Sequence, residues 1–186
     1  VFYDLFWACH RAGFYFTPVN WHLQRDEVQY IVDNCDAKLL IAHARFAETA
    51  QAVAREIPRL VVSASVGGAI PGFRALEDEI ASAPSDEPLG EELEGSVMLY
   101  SSGTTGRPKG VRRPFPHAPA GDPKAAIQTV GLAMLFGMKE GDVYLSPAPF
   151  YHAAPLAFSS AQHRIGATVV VMRHFDAEEA LRIIEA

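Results

Sequence analysis

The sequence predicts an α/β fold in which a mostly parallel sheet is flanked by helices. Segments with apolar residues at helical spacing alternate along the chain with short apolar or aromatic runs typical of strands. Such alternation is the pattern of strand–helix–strand crossover units, which build parallel sheets. The composition is that of a globular protein, because 49% of the 186 residues are hydrophobic and 20% are charged. A disordered tail, a fibrous repeat and a coiled coil are therefore excluded.

The first half of the chain predicts helices and strands in turn. Apolar residues recur at helical spacing over residues 1–12, and Gly13 ends this predicted helix. Asp26 and Glu27 fall in the first turn of the next helical pattern, where the helix dipole favours acidic side chains. The predicted helices are residues 1–12, 24–35, 44–56 and 73–83, and the predicted strands are residues 14–19, 38–42 and 60–63.

The second half repeats this alternation after a break rich in Pro, Gly and Glu. Asp176, with Glu179 three residues later, predicts a capping pair for the last helix. The predicted strands are residues 97–101, 142–146 and 167–172, and the predicted helices are residues 124–138, 157–165 and 176–186. We therefore divide the chain into helix and strand units at 1–83, a linker at 84–95, and a segment at 96–186 that holds a glycine-rich loop and an aromatic stretch.

Both ends of the chain lie inside amphipathic patterns, so we expect a fragment of a larger domain. We expect its severed sheets and uncovered apolar faces to make it self-associate. The longest apolar runs are far shorter than the roughly 20 residues that a membrane-spanning helix needs, and the chain does not open with a signal-peptide pattern.

The two cysteines, Cys9 and Cys35, predict neither a disulfide framework nor a zinc site, because no CxxC pair or neighbouring pair of histidines accompanies them. Both lie on apolar helical patterns, so we expect buried structural thiols. The reducing cytoplasm is the compartment expected by default.

The distribution of charge indicates an anion site. The net charge of −6 argues against a nucleic-acid partner. Residues 95–121 nevertheless contain no Asp or Glu, while Arg107, Lys109, Arg112 and Arg113 fall within seven residues. A small-anion site and a solvated basic turn are both compatible with this pattern.

The glycine-rich loop, residues 100–110, reads Tyr-Ser-Ser-Gly-Thr-Thr-Gly-Arg-Pro-Lys-Gly. Its glycines let the backbone approach a ligand, its Ser and Thr hydroxyls add donors, and Lys109 adds a mobile cation suited to phosphate. A Walker loop is excluded, because Pro108 and Gly110 stand where that loop needs Gly and a hydroxyl residue. These residues alone leave a phosphate cradle and a flexible turn open.

Residues 100–111 closely resemble the signature loop of the adenylate-forming superfamily, which includes acyl-CoA synthetases, peptide-synthetase adenylation domains and firefly luciferases. Further segments resemble the same family in the same order, and these are residues 9–13 and 16–20 before the loop, and residues 146–152 and 166–170 after it. The resemblance covers essentially the whole chain and is closest to the fatty-acid and related acyl-CoA ligases. It implies part of the large N-terminal domain of such an enzyme, without the C-terminal domain.

The resemblance implies a two-step reaction that uses ATP, Mg²⁺ and coenzyme A. A carboxylate attacks the α-phosphate of Mg-ATP, which yields an acyl-adenylate and pyrophosphate, and the CoA thiol then displaces AMP. Thr104 or Thr105 is implied to reach the metal or its waters. The residues implied to hold the β- and γ-phosphates are Ser101, Ser102, Gly103, Thr104, Thr105 and Gly106, with Lys109 close to them.

The resemblance also implies that Phe150, Tyr151 and His152 border the acid and adenylate pockets, although core packing explains any one of these aromatic residues equally well. We do not expect His152 to be a general base. Amino-acid-activating relatives use an acidic residue in this region to hold the substrate ammonium, but residues 143–175 contain no Asp or Glu. Because burying an uncompensated ammonium is costly, we expect a small carboxylic acid with an apolar fatty, sterol-side-chain or aryl group.

Two alternatives stay open beside an acyl-CoA ligase. One is an adenylate-forming enzyme with another acceptor, such as a carrier-protein thiol or an oxygenase step, and the other is a catalytically empty nucleotide-binding module. Pro108 and Gly110 disfavour a P-loop kinase or ATPase. The family's acidic metal-ligand motif, ribose-binding Asp and C-terminal lysine are expected beyond residue 186, so we expect this chain alone to be inactive in acyl-CoA formation.

Overall fold

The computed structural model describes residues 1–84, 90–101 and 107–185. The α-helices in this part of the chain are α1 (Phe2–Arg11), α2 (Arg25–Asn34), α3 (Ala47–Glu56), α4 (Leu76–Ser82), α5 (Ile127–Phe136), α6 (Ala153–Arg164) and α7 (Ala177–Glu185). The strands are β1 (Tyr15–Phe16), β2 (Leu39–His43), β3 (Val62–Val66), β4 (Arg74–Ala75), β5 (Ser96–Ser101), β6 (Lys109–Arg112), β7 (Val143–Ser146) and β8 (Thr168–Val171).

Within the described ranges, the strands form three small sheets, with the orders β1-β5-β6, β2-β3-β4 and β7-β8. The pairings of β1 with β5, β2 with β3, β3 with β4 and β7 with β8 are all parallel. Helices lie between most consecutive strands along the chain. The predicted α/β fold with mostly parallel strands is therefore confirmed.

The chain divides into two compact units. Unit 1 comprises Val1–Pro18, Glu91–Leu99 and Arg113–Ala186, and unit 2 comprises Val19–Gly90 and Tyr100–Arg112. Unit 1 thus gathers distant segments of the chain, whereas most of unit 2 is one continuous stretch.

Unit 2 is built on an aliphatic core beneath the sheet β2-β3-β4. Val32 of α2, Val53 of α3 and Ile57 form a cluster in which no side chain is more than 2% exposed. The backbone N–H of Gln24 donates to Glu27 Oε2 at 2.9 Å, which caps the start of α2. The aliphatic cluster fixes α2 against α3.

Unit 1 has an aromatic cluster at its centre and a polar network beside it. The rings of Phe2 and Phe6 in α1 both contact Phe16 edge to face, with centroids 5.4 and 5.5 Å apart. The first residues of β5 pair with β1, with Ser96 opposite Tyr15. Gly95 approaches α1 so closely that a Cβ there would lie 2.7 Å from the Cα of His10. Only glycine fits at this position without a shift of the backbone.

The larger differences between the predictions and the structure concern β6, α4 and α6. Strand β6 was not predicted, because all four of its residues are exposed and carry no apolar alternation. The predicted helix over 73–83 begins only at Leu76, after β4 has paired with β3. Helix α6 begins at Ala153, four residues before the predicted start, and therefore includes Pro155 in its first turn, where proline is tolerated.

Cys9 and Cys35 are half-buried, less enclosed than predicted, and neither is part of a disulfide. Burial raises the pKa of the Cys9 thiol. Among the described helices, none combines the length and the apolar character required to cross a membrane.

Candidate functional site

The glycine-rich loop connects two neighbouring strands of one sheet. Strand β5 ends at Ser101, strand β6 begins at Lys109, and the two strands are hydrogen-bonded neighbours in the order β1-β5-β6. Ser101 and Lys109 are both exposed. The other residues predicted to hold phosphate lie outside the described residues, and these are Ser102, Gly103, Thr104, Thr105 and Gly106.

Tyr100, the residue before Ser101, is held by helix α2. Its hydroxyl donates to Asn34 Oδ1 at 2.6 Å, although the two residues are 66 positions apart in the sequence. Burial, followed by the nearby Cys35, Tyr30 and Asp36, raises the pKa of the Tyr100 phenol well above its ordinary value of 10.0. The phenol therefore keeps its proton and stays a donor.

Arg107, on the other side of residues 102–106, also contacts α2. Its guanidinium carbon lies 5.5 Å from the centre of the Tyr30 ring, within the range of a cation–π interaction. Arg107 and Lys109 are exposed in a stretch of sequence without carboxylates. This part of unit 2 therefore presents positive charge that suits an anion.

The predicted pocket residues lie in unit 1 at the start of α6. Phe150 packs against the rings of Phe2 and Tyr3, with centroids 5.3 and 5.0 Å away. Tyr151 is half-buried and its ring lies 4.6 Å from that of His152. His152 is exposed, and its backbone carbonyl accepts from the N–H of Leu156 as α6 begins. Phe150 is thus part of the aromatic cluster of unit 1, while His152 faces solvent.

A buried carboxylate in unit 1, Glu94, was missed by the sequence analysis. Its side chain is 5% exposed and accepts hydrogen bonds from both terminal nitrogens of Arg164. The backbone N–H of Gly121 donates to the same carboxylate at 2.9 Å, and His10 Nδ1 lies 3.4 Å from it. A single Glu between Leu93 and Gly95 carries no local sign of this role, because its partners are distant in the sequence.

The pKa of Glu94 shows how completely the carboxylate is satisfied. Burial by itself raises this pKa, but the hydrogen bonds from His10, Arg164 and the Gly121 N–H outweigh burial and lower it to about 2, from an ordinary 4.5. Because its lone pairs are occupied by these donors, Glu94 is suited to joining chain segments rather than to accepting a proton from a substrate.

A cavity of about 350 Å³ lies beside this network within unit 1. Trp7, His10, Glu94, His163 and Arg164 are among its lining residues. The guanidinium of Arg164 stacks 5.3 Å from the Trp7 ring, and the Trp7 Nε1–H donates to His163 Nδ1 at 3.3 Å. Burial lowers the pKa of His163, so this imidazole stays neutral and accepts the bond. The cavity wall is thus fixed by contacts among its own side chains.

A metal site is not formed by the side chains that the structure describes. Within residues 1–84, 90–101 and 107–185, no three His, Cys, Asp or Glu side chains are grouped to hold an ion. Thr104 and Thr105, the predicted metal contacts, are outside those ranges.

Comparisons with known proteins match nearly the whole length of the chain. A family model described as AMP-binding enzyme matches residues 2–186. The fatty acid–[acyl-carrier-protein] ligase ScoC of Streptomyces coeruleorubidus is 28% identical over 98% of this chain and 34% of its own length. The 2-succinylbenzoate–CoA ligase of Bacillus licheniformis is 30% identical over 96% of this chain and 33% of its own length.

A solved structure supports the same relationship. The N-terminal domain of FACL13 from Mycobacterium tuberculosis, crystallised with an inhibitor, superposes with a TM-score of 0.65 and 26% identity, covering 90% of this chain and 40% of that one. The chain spans about a third of the length of the two curated relatives.

Proposed function

Because this chain belongs to the AMP-binding enzyme family, we propose that it forms part of a ligase that activates an apolar carboxylic acid with Mg-ATP and transfers the acyl group to coenzyme A. The resemblance drawn from the glycine-rich loop is thereby confirmed at the level of the family. The substrate, the acceptor and the roles of individual residues are our proposals.

The observation that carries this proposal is the glycine-rich loop, with its family sequence, set between two neighbouring strands that end and begin at exposed polar residues. In the first step, an oxygen of the carboxylate attacks the α-phosphorus of ATP. The bond between the α-phosphorus and the oxygen that bridges it to the β-phosphorus breaks, and pyrophosphate leaves with that oxygen. Negative charge builds on that leaving group, so donors fixed in advance around it lower the barrier. We assign this task to Ser101, residues 102–106 and Lys109.

Magnesium fits the proposal as a companion of the nucleotide. Hard cations prefer oxygen ligands, and Mg²⁺ is commonly bound by substrate phosphates with few protein ligands. We assign a contact to the metal or its waters to the hydroxyl of Thr104 or Thr105. When bound, the ion supplies neutralisation of the phosphate charge.

The acid is proposed to be apolar because the segment that follows β7 offers no anion to a substrate ammonium. Residues 143–175 contain no Asp or Glu, and Phe150 and Tyr151 add aromatic surface at the start of α6. The rings of Phe2 and Tyr3 contact Phe150 and hold its side chain in place. His152 is proposed to border this surface without transferring a proton.

The acceptor has a second candidate, a carrier-protein thiol. The ScoC ligase, which is similar to 98% of this chain, is named for transfer to an acyl-carrier protein, whereas the succinylbenzoate ligase is named for transfer to CoA. Both reactions share the adenylation step. Mass spectrometry of the acyl product formed with CoA and with a phosphopantetheinylated carrier protein distinguishes them.

Carboxylate-dependent exchange of pyrophosphate into ATP by the full-length protein tests the proposal. The acids range from acetate through long-chain fatty, bile and aryl acids to amino acids, and we expect exchange with an apolar acid. Replacing Lys109 with Ala should lower kcat/KM for exchange about 100-fold, because it removes a charge that stabilises the leaving group. The thermal stability of the Lys109→Ala variant should equal that of the wild type, since Lys109 is exposed.

Lys38→Ala is the matched control, because Lys38 is also an exposed lysine of unit 2. It should keep wild-type exchange. Absence of exchange with every acid, in a protein shown to be folded, would favour the catalytically empty nucleotide-binding module.

A further inference from the structure

Helix α2 contacts the chain on both sides of residues 102–106, and it does so through one face. Tyr30 and Asn34 are four positions apart, which places them above one another on the same side of a helix. We infer that Tyr30 and Asn34 are positioning residues, which fix Tyr100 and Arg107 and thereby the two approaches to the phosphate-binding segment. This inference rests on the proposed function, because it assigns a supporting role in that same site.

The first contact fixes the approach from β5. Asn34 Oδ1 accepts from the Tyr100 hydroxyl at 2.6 Å, a short distance for a hydrogen bond between an O–H donor and an amide oxygen. Because burial keeps the phenol protonated, this bond does not depend on pH in the physiological range. Tyr100 directly precedes Ser101, so this bond fixes the position of the Ser101 hydroxyl, the first one proposed to bind phosphate.

The second contact fixes the approach from β6. The Arg107 guanidinium lies over the ring of Tyr30 at 5.5 Å. An exposed arginine without a partner samples many rotamers, and a ring beneath it reduces that freedom. Arg107 is two positions before Lys109, so the contact restrains the residue that leads into the proposed phosphate-binding lysine.

Helix α2 is a rigid support for both contacts. Val28 and Val32 lie on its other side and pack in the aliphatic core with Val53 of α3. Arg59, which follows that core, forms ion pairs with Asp33 and Asp36 at the end of α2. Tyr100 and Arg107 are thus restrained by one rigid helix, so the neighbouring Ser101 and Lys109 lose less conformational entropy when they bind phosphate.

Steady-state exchange kinetics of the full-length protein test this inference. Asn34→Ala and Tyr30→Leu should each raise the KM for ATP about fivefold, the loss expected for one hydrogen bond or cation–π contact, and leave the KM for the acid unchanged. Tyr30→Phe keeps the ring and should match wild type. A merely structural loss would reduce the amount of active protein without changing the KM for ATP.

The matched control for Asn34→Ala is Gln51→Ala, since Gln51 Nε2 also makes a side-chain hydrogen bond within unit 2, to the carbonyl of Pro71 at 2.8 Å. It should leave the KM for ATP unchanged. Asn34→Ala combined with Tyr100→Phe should raise that KM no further than either change alone, because both remove the same bond. Additive effects in the double variant, or an unchanged KM for ATP in Asn34→Ala and Tyr30→Leu, would overturn the inference while wild-type exchange upholds the proposed function.

Amide hydrogen exchange gives a readout that is independent of activity. Amides of residues 99–101, Arg107, Lys109 and Gly110 should exchange faster in Asn34→Ala and Tyr30→Leu than in Gln51→Ala. Equal exchange rates in the three variants would overturn the inference. If the wild-type protein shows no pyrophosphate exchange, the proposed function fails, and the amide measurement still decides whether α2 holds these residues.

Discussion

Each of the two units is stabilised internally by a different kind of interaction. In unit 2, α2 and α3 meet through aliphatic side chains, with Val53 fully buried and Ile57 only 2% exposed. In unit 1, α1 and α6 meet around the carboxylate of Glu94, which precedes β5 and is paired with Arg164 and His10. Burial of aliphatic groups is nondirectional and insensitive to charge, whereas a buried ion network is stable only when every member is present. The stability of unit 1 therefore depends on a few specific side chains, and that of unit 2 on its total buried apolar area.

Removing the charge of Glu94 should cause the largest loss of stability in unit 1. Glu94→Gln leaves Arg164 without its ionic partner in a site where the two side chains are 5% and 19% exposed. The free energy of unfolding should fall by about 4 kcal/mol, the cost of breaking a buried ion pair from one side. Urea denaturation followed by circular dichroism measures this change.

Glu92→Gln is the matched control, because Glu92 lies two residues away and also pairs with an arginine, Arg11, at 2.5 Å, but on the surface. Its effect on unfolding should be close to the limit of detection, since exposed ion pairs contribute little. Equal effects of the two substitutions would contradict the contrast between a buried network and a surface pair.

Truncation of the aliphatic core is expected to cost slightly less. Ile57→Ala removes three carbons from the cluster with Val32 and Val53, and the free energy of unfolding should fall by about 3 kcal/mol through lost burial and a residual cavity. Ile80→Ala in the same unit is the control, because Ile80 is 63% exposed and should change stability little. A loss in Ile80→Ala as large as that in Ile57→Ala would show that the cluster is not the core of unit 2.

Lowering the pH should weaken the stabilising contribution of the Glu94 network in unit 1 and leave that of the aliphatic core in unit 2 unchanged. The folded-state pKa of Glu94 is about 2, below its ordinary 4.5. Its ionised form therefore stabilises the fold fully above pH 4.5, and this contribution is lost as the pH falls toward 2. The stability difference between wild type and Glu94→Gln should shrink over that range in urea titrations at several pH values. The difference between wild type and Ile57→Ala should stay constant, and a parallel decline in both would contradict the assignment.

Local patterns in the sequence predicted the local structure well. The alternation of helical and strand periodicities identified the α/β fold with parallel strands, and the predicted pair at the last helix is formed, with the Glu179 N–H donating to Asp176 Oδ1 at 2.8 Å. Strand β6 escaped prediction, because its exposed residues Lys109–Arg112 have no apolar face and its pairing with β5 creates the strand.

The candidate site was predicted only as far as its motif reaches. The glycine-rich loop was visible because its residue types are contiguous, and the roles of its residues 102–106 stay predictions. Asn34 and Tyr100 are 66 positions apart, and Glu94 is 84 positions from His10 and 70 from Arg164. No periodicity or spacing rule connects residues at such separations, so these pairs required the fold.

The discontinuity of unit 1 sets an order for its folding on the ribosome. Residues 19–90 form most of unit 2 and leave the ribosome as one stretch, so this stretch can collapse early. Helix α1 precedes the rest of unit 1 along the chain, and Arg164, which stacks on its Trp7, is made only about 150 residues later. At about 5–20 residues per second this is a delay of about 8–30 s. During that interval its apolar side chains Phe2, Phe6 and Trp7 have no finished surface to cover them. Within unit 1, helix α1 is therefore the segment for which chaperones have the longest opportunity to bind.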